Sequence, residues 1–168
     1  MSIKQFNGEW VCQQDRVLFR FNTSEDQEFS FWLTRYVLKG LIQGARQVAA
    51  QALEQAHSPQ VAQVMQSFQQ ATVTQQLNFE ETFQEAKEKP MGDVPLLVTG
   101  LSLNQEGDVV TIKFDLEADR AVQVQMNTAV LQVMLALLDK LQGLAQWGVG
   151  FEVEAASGLN ENAPLLMH

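Results

Sequence analysis

The chain has 168 residues, with 11 basic and 20 acidic side chains and a formal net charge of −9. This length fits about one domain, and a composition of 46% hydrophobic and 18% charged residues is typical of a folded chain. Nucleic-acid binding usually requires a concentrated basic face. No two Lys or Arg residues are adjacent here, so we expect no nucleic-acid partner.

The compartment is expected to be the cytoplasm. Cys12 is the only cysteine, so no disulfide can form within the chain. The polar start of the chain lacks a secretory pattern, and no uninterrupted apolar run approaches the ~18 residues of a membrane span. We therefore expect no membrane partner.

The N-terminal part of the chain predicts two strands, Glu9–Gln13 and Arg16–Asn22, joined by a short turn. In the second strand Phe19 and Phe21 alternate with polar residues, which indicates one face turned to the core.

A long helix is predicted next, capped by Thr23 or Ser24 and reaching about Ala56. On a helical wheel its segment Phe29–Ile42 has two apolar faces. A surface helix of a monomer needs only one such face, so the second stripe predicts an interface with a partner or a second copy. That stripe consists of Phe31, Leu38 and Ile42.

Gly40 and Gly44 leave a small-residue groove on this helix, where another element can approach closely. Ser58 and Pro59 then begin a second predicted helix, whose outer positions are largely glutamine. Interfaces are depleted of charge, so this helix face is an interface candidate, although compositional drift explains it equally well. Its interface candidates are Gln63, Gln66 and Gln70.

The second half of the chain predicts a β-meander followed by a helix. The helical pattern of Asn78–Lys87 and a loop at Pro90–Pro95 precede it. The last helix is capped by Asn127 or Thr128 and reaches about Trp147. The predicted strands are Leu96–Asn104, Val109–Leu116 and Arg120–Met126, with a short edge strand at Phe151–Glu154.

These elements predict an α+β fold in a single domain over residues 1–154, with residues 155–168 as a mobile tail. An antiparallel sheet of about five strands packs against long helices in the order β-β-α-α-β-β-β-α. The predicted strand and helix that begin at Val17 resemble those that begin at Ala121. Either a duplication within the chain or the ordinary local succession of strand, cap and helix explains this resemblance. The predicted core is Phe19, Phe21, Phe29, Leu33, Tyr36, Val110, Ile112, Phe114, Val133, Leu137 and Leu141.

Catalytic motifs and cofactor-binding patterns are not found in the sequence, and no metal site is expected from its two histidines. Cys12 is interpreted as a small apolar filler or a bystander. An alternating acidic run either holds Mg²⁺ or Ca²⁺ or is a solvated strand end, and the second interpretation is favoured. This run is Asp115, Glu117 and Asp119.

Two arginines are ligand-binding candidates. Arg35 lies among aromatic residues of the predicted helix, and Arg20 shares a strand face with Arg16 and Leu18. Either guanidinium could hold a carboxylate in a bidentate manner. The favoured alternative is an ion pair, Arg35 with Glu28 or Arg20 with an acid such as Glu117.

The leading hypothesis is a non-enzymatic cytoplasmic protein that self-associates, as a dimer, or binds a protein partner. The first alternative is an enzyme or small-ligand-binding protein with a pocket between sheet and helices. The second is an accessory chaperone for an exported or assembling client. In size and acidic charge the chain is similar to bacterial secretion chaperones, although the predicted order of elements differs from theirs.

Overall fold

The computed structural model describes residues 3–56 and 83–147 and confirms the α+β class. The first half contains β1 (Ile3–Val11), a 3-10 turn (Cys12–Gln14), β2 (Arg16–Thr23), β3 (Glu28–Leu33) and α1 (Arg35–Ala56). The second half contains β4 (Leu96–Glu106), β5 (Val109–Leu116), β6 (Arg120–Asn127) and α2 (Thr128–Ala145).

The sheet has six strands in chain order, β1 to β6. Two antiparallel meanders, β1–β3 and β4–β6, are joined by a parallel pairing of β3 with β4. That pairing is short, because it joins only Phe31 to Leu96 and Trp32 to Leu97. The sheet is therefore mixed, whereas the sequence predicts an antiparallel sheet of about five strands.

The predicted helix over Thr23–Leu33 is wrong, because this part of the chain is a turn followed by β3. Phe29, Phe31 and Leu33 face the core at every second position. Consecutive apolar residues fit a helical and a strand period equally well over so short a stretch. The polar residues that resemble a helix cap form the β2–β3 turn instead, where Asp26 has a φ of 61°.

The core lies between the sheet and the two helices and contains most of the predicted residues. Tyr36 is the main exception: it lies in the first turn of α1 with 86% of its surface exposed. The error follows from the misplaced helix, which put Tyr36 on one face with residues that are in fact in β3. Val133 is only half-buried.

Three further corrections concern the ends and connections of elements. β1 begins at Ile3, well before the predicted Glu9, and Cys12 lies exposed after its end rather than as a buried filler. Residues 83–87 are not helical. The second predicted helix, the edge strand at 151–154 and the tail lie outside the described residues.

The two halves of the chain are structurally equivalent. Residues 15–34 of the first half correspond to residues 108–127 of the second, with a constant difference of 93 in residue number. The starts of the two helices show this equivalence. Thr34 Oγ1 accepts a hydrogen bond from the amide of Val37 in α1 at 3.3 Å, and Asn127 Oδ1 accepts one from the amide of Val130 in α2 at 2.9 Å. The contact of Arg35 with Asp15 likewise corresponds to that of Thr128 with Asp108. The repeated unit is β-β-β-α, a different register from the strand–helix likeness noted in the sequence.

Each helix packs against the first strand of the other half, α1 on β4 and α2 on β1. The helices also contact each other, and Arg46 of α1 forms a 2.6 Å ion pair with Asp139 of α2. These two positions are themselves equivalent, since 46 and 139 are also 93 residues apart. Contact between equivalent positions is the mark of a two-fold relation, here within one chain.

By length and composition, α2 is apolar enough to cross a membrane. Half of this 18-residue helix is buried inside the protein, against β1, β5, β6 and α1. Its apolar character is accounted for by this packing, as in the central helix of a folded core.

Candidate functional site

An open groove lies between α1 and β4. The chain leaves the sheet at the end of β3, and α1 then runs beside the part of β4 that β3 does not reach. The groove has a volume of about 380 Å³. Its walls are Gly40, Gly44, Gln47, Val48 and Gln51 of α1 and Leu101, Ser102, Leu103, Asn104 and Gln105 of β4.

One wall of the groove is the edge of β4 rather than one of its faces. Successive side chains of a strand point to opposite faces, yet five consecutive residues, 101–105, line the groove. Only the edge of the strand is accessible to all of them. Among the described residues, no backbone hydrogen bond reaches β4 beyond Leu97 from the side of β3.

A bulge sets the orientation of β4 at this place. The register with β5 shifts between Val98 and Gly100, so the strand gains an extra residue and reverses which residues face inward. Leu101 and Leu103 thereby point to the core side, opposite the buried Phe114 and Ile112. Without the bulge these two leucines would face solvent.

The two glycines of α1 form the other wall. A Cβ at Gly44 would lie 2.9 Å from Leu103 Cδ1, so the close approach of helix and strand requires glycine there. A Cβ at Gly40 would lie 3.9 Å from Leu101 Cδ2, an ordinary contact distance. Gly40 therefore leaves open space along the helix, whereas Gly44 is used to bring the backbones together.

The equivalent junction in the other half of the molecule lies between α2 and β1. Val133 and Leu137 of α2 stand where α1 has Gly40 and Gly44 (133 and 40, like 137 and 44, are 93 apart). There the glycine is on the strand, and Leu141 of α2 occupies the space that a Cβ of Gly8 would need. Each junction therefore packs a leucine against a glycine, with the leucine on β4 in one half and on α2 in the other.

Among the residues that the structure describes, the lining of the groove contains no charged side chain, although the protein has a net charge of −9. Its polar groups are amides and one hydroxyl, and its apolar surface comes from Val48, Leu101 and Leu103. Such a lining favours an uncharged occupant, because a charge taken out of water there would meet no opposite charge on the lining.

Arg35 is not part of this groove. Its Nη2 lies 3.4 Å from Asp15 Oδ2, and its guanidinium lies over the Trp147 ring at 5.4 Å. The indole nitrogen of Trp147 donates to Asp15 Oδ1 at 2.7 Å. Arg35 thus forms an ion pair, as the favoured interpretation expected, but its partner is Asp15 and not Glu28. The three side chains connect the end of α2 to the start of α1.

Arg20 is also outside the groove, on the outer face of the first meander. Its Nη2 and Nε donate to Asn7 Oδ1 at 2.7 and 3.2 Å, and its guanidinium lies 4.7 Å from the centroid of Phe83. The expected partner Glu117 instead accepts from the amide of Leu97. Arg20 therefore joins two strands and the segment that crosses them.

The structure describes only some of the predicted interface residues. Phe31, Leu38 and Ile42 are wholly buried within the chain, which removes the surplus apolar surface that suggested a partner for this stripe. Gln63, Gln66 and Gln70 lie outside the described residues.

The acidic run does not converge on a point. Asp115 forms a 2.8 Å ion pair with Lys113, and Asp119 lies in the β5–β6 turn. No group of three metal-ligating side chains comes together within residues 3–56 and 83–147.

Comparison of the chain with protein-family models, curated proteins and solved structures finds no match. The sequence had indicated one wall of the groove, through the four-residue spacing of Gly40 and Gly44. It gave no sign of the other wall, because the free edge of β4 depends on where β3 ends.

Proposed function

We propose that the protein is a non-enzymatic binding module that takes up a segment of a partner protein in the groove between α1 and β4. The observation that carries this proposal is the open groove of about 380 Å³ between α1 and β4, whose described lining combines apolar side chains with uncharged polar ones. Binding sites are concave surfaces of this kind, with apolar walls and a few polar groups that fix the orientation of a ligand.

Phe31, Leu38 and Ile42 are buried within the chain and are not accessible to a partner. We therefore place the binding site at the groove and not at this stripe. The positions of Arg20 and Arg35 support a protein ligand over a small anion. Both guanidinium groups are held by neighbouring side chains, and neither lines the groove.

The proposal is tested by selection from a displayed library of random short peptides on the immobilised protein. Gly40→Leu places a side chain in the groove without a backbone clash, since only Leu101 lies near its Cβ. Gly143→Leu is the matched control, because it makes the same change on α2, where nothing lies within 4 Å. Both changes replace a helical glycine and favour the helix by up to ~1 kcal/mol.

We expect the wild-type protein and Gly143→Leu to enrich the same peptides and Gly40→Leu to retain none of them. Thermal unfolding of both variants checks that the fold is intact. Enrichment of the same peptides by folded Gly40→Leu, or no enrichment by the wild type, would contradict the proposal.

A further inference from the structure

Among residues 3–56 and 83–147, no backbone group pairs with the edge of β4 that faces the groove. A strand inside a sheet bonds to a neighbour on each side. On β4 one set of groups pairs with β5 over the whole of Val98–Glu106, whereas the pairing with β3 ends at Leu97. With respect to the described part of the chain, residues 99–106 therefore present a free edge of roughly 26 Å at about 3.3 Å per residue.

A free strand edge beside a helix is the arrangement in which an extended peptide adds to a sheet, with main-chain hydrogen bonds for affinity and alternate side chains for specificity. We infer that the groove binds an extended, uncharged peptide segment of a partner protein, which pairs with β4 as an additional strand. This inference rests on the proposed binding function and specifies its ligand class and binding mode.

The position of the added strand follows from the existing sheet. β3 already occupies this side of β4 at Leu96 and Leu97, and the chain then turns away into α1 at Arg35. The peptide would continue along the same line beyond the end of β3. Gly44 allows α1 to approach Leu103 closely, which sets the width of the groove.

The side-chain preference of the peptide follows from the lining. Every second peptide side chain would point between α1 and β4, towards Val48, Leu101 and Leu103, and should be apolar. The intervening side chains would point to the opposite face of the sheet, beside the exposed Ser102 and Asn104 of β4, and should be polar without charge. The ligand class is thus an alternating apolar and uncharged polar sequence.

The test uses a peptide selected on the wild-type protein and its backbone N-methylated derivatives. Methylation removes one N–H donor, and in an added strand only alternate residues direct that donor to β4. We expect methylation at every second position to weaken binding about tenfold each and methylation between them to have little effect. Gly40→Leu and Gly143→Leu serve as groove-blocked and control proteins.

The possible failures of the inference and of the proposed function can be told apart. If Gly40→Leu abolishes binding but methylation has no alternating effect, the groove binds a peptide in another form and the strand-addition inference is wrong. Selection of predominantly charged sequences would also overturn it. If Gly40→Leu leaves binding intact, the proposed function itself fails.

Discussion

At the scale of single residues, a few buried polar side chains show how separate segments of the chain are held together. Glu28 is only 4% exposed, and its carboxylate accepts from Ser30 Oγ at 3.2 Å and from the amide of Ala86 at 3.3 Å. The neighbouring buried side chain of Asn22 donates to the carbonyl oxygen of Gln84. These bonds attach the segment before β4 to the first meander.

Glu28→Ala should lower the free energy of unfolding by about 1–3 kcal/mol, since it leaves the buried amide of Ala86 without this acceptor. Urea denaturation measures the change. Glu9→Ala, on the exposed side of β1, is the control and should stay within about 0.5 kcal/mol of the wild type. Equal effects of the two substitutions would contradict the anchoring role of Glu28.

Gln132 is a buried amide with 3% exposure, and neither its Nε2 nor its Oε1 has a hydrogen-bond partner within the described residues. Gln132→Met keeps the length of the side chain and removes both unsatisfied groups, so we expect a gain in stability of about 1–3 kcal/mol. Gln125→Met, at an exposed position of β6, should change little. A loss of stability in Gln132→Met would show that the amide is bonded in solution.

At the scale of elements, the sequence predicted most of the second half well. The strict alternation of β5 and the broad apolar face of α2 each fit one period only, so β5 was placed at its observed bounds and α2 within two residues of them. β3 was missed because Phe29–Leu33 is short and apolar at neighbouring positions, and because Thr23 and Ser24 resemble a helix cap. Which strand pairs with β4, and hence the groove, depends on non-local packing that local patterns do not contain.

Substitutions at the starts of the helices test directly whether α1 begins at Arg35 rather than near Thr23. Thr34→Ala and Asn127→Ala should each cost about 1 kcal/mol, because each removes an oxygen that accepts from a first-turn amide. Ser24→Ala removes the cap that the sequence predicted and should have almost no effect, since Ser24 lies exposed in the β2–β3 turn. A large loss in Ser24→Ala, measured by urea denaturation, would restore the helix prediction.

At the scale of the whole molecule, two β-β-β-α halves pack reciprocally, and different residues form their two helix–strand junctions. Leu141 of α2 packs against Gly8 of β1, and Leu103 of β4 packs against Gly44 of α1. Gly40 and Gly44 also line the groove beside residues 101–105 of β4. The repeated unit thus builds both junctions, with glycine and leucine exchanged between helix and strand.

Amide hydrogen exchange across residues 99–106, measured with and without a selected peptide, is the decisive test of strand addition to β4. We expect alternate amides of this edge to exchange rapidly in the free protein and to become protected when the peptide binds, while the amides of β5 stay slow throughout. In Gly40→Leu we expect no such protection. Slow exchange along the whole edge before any peptide is added, or exchange unchanged by a bound peptide, would show that no peptide strand pairs with β4.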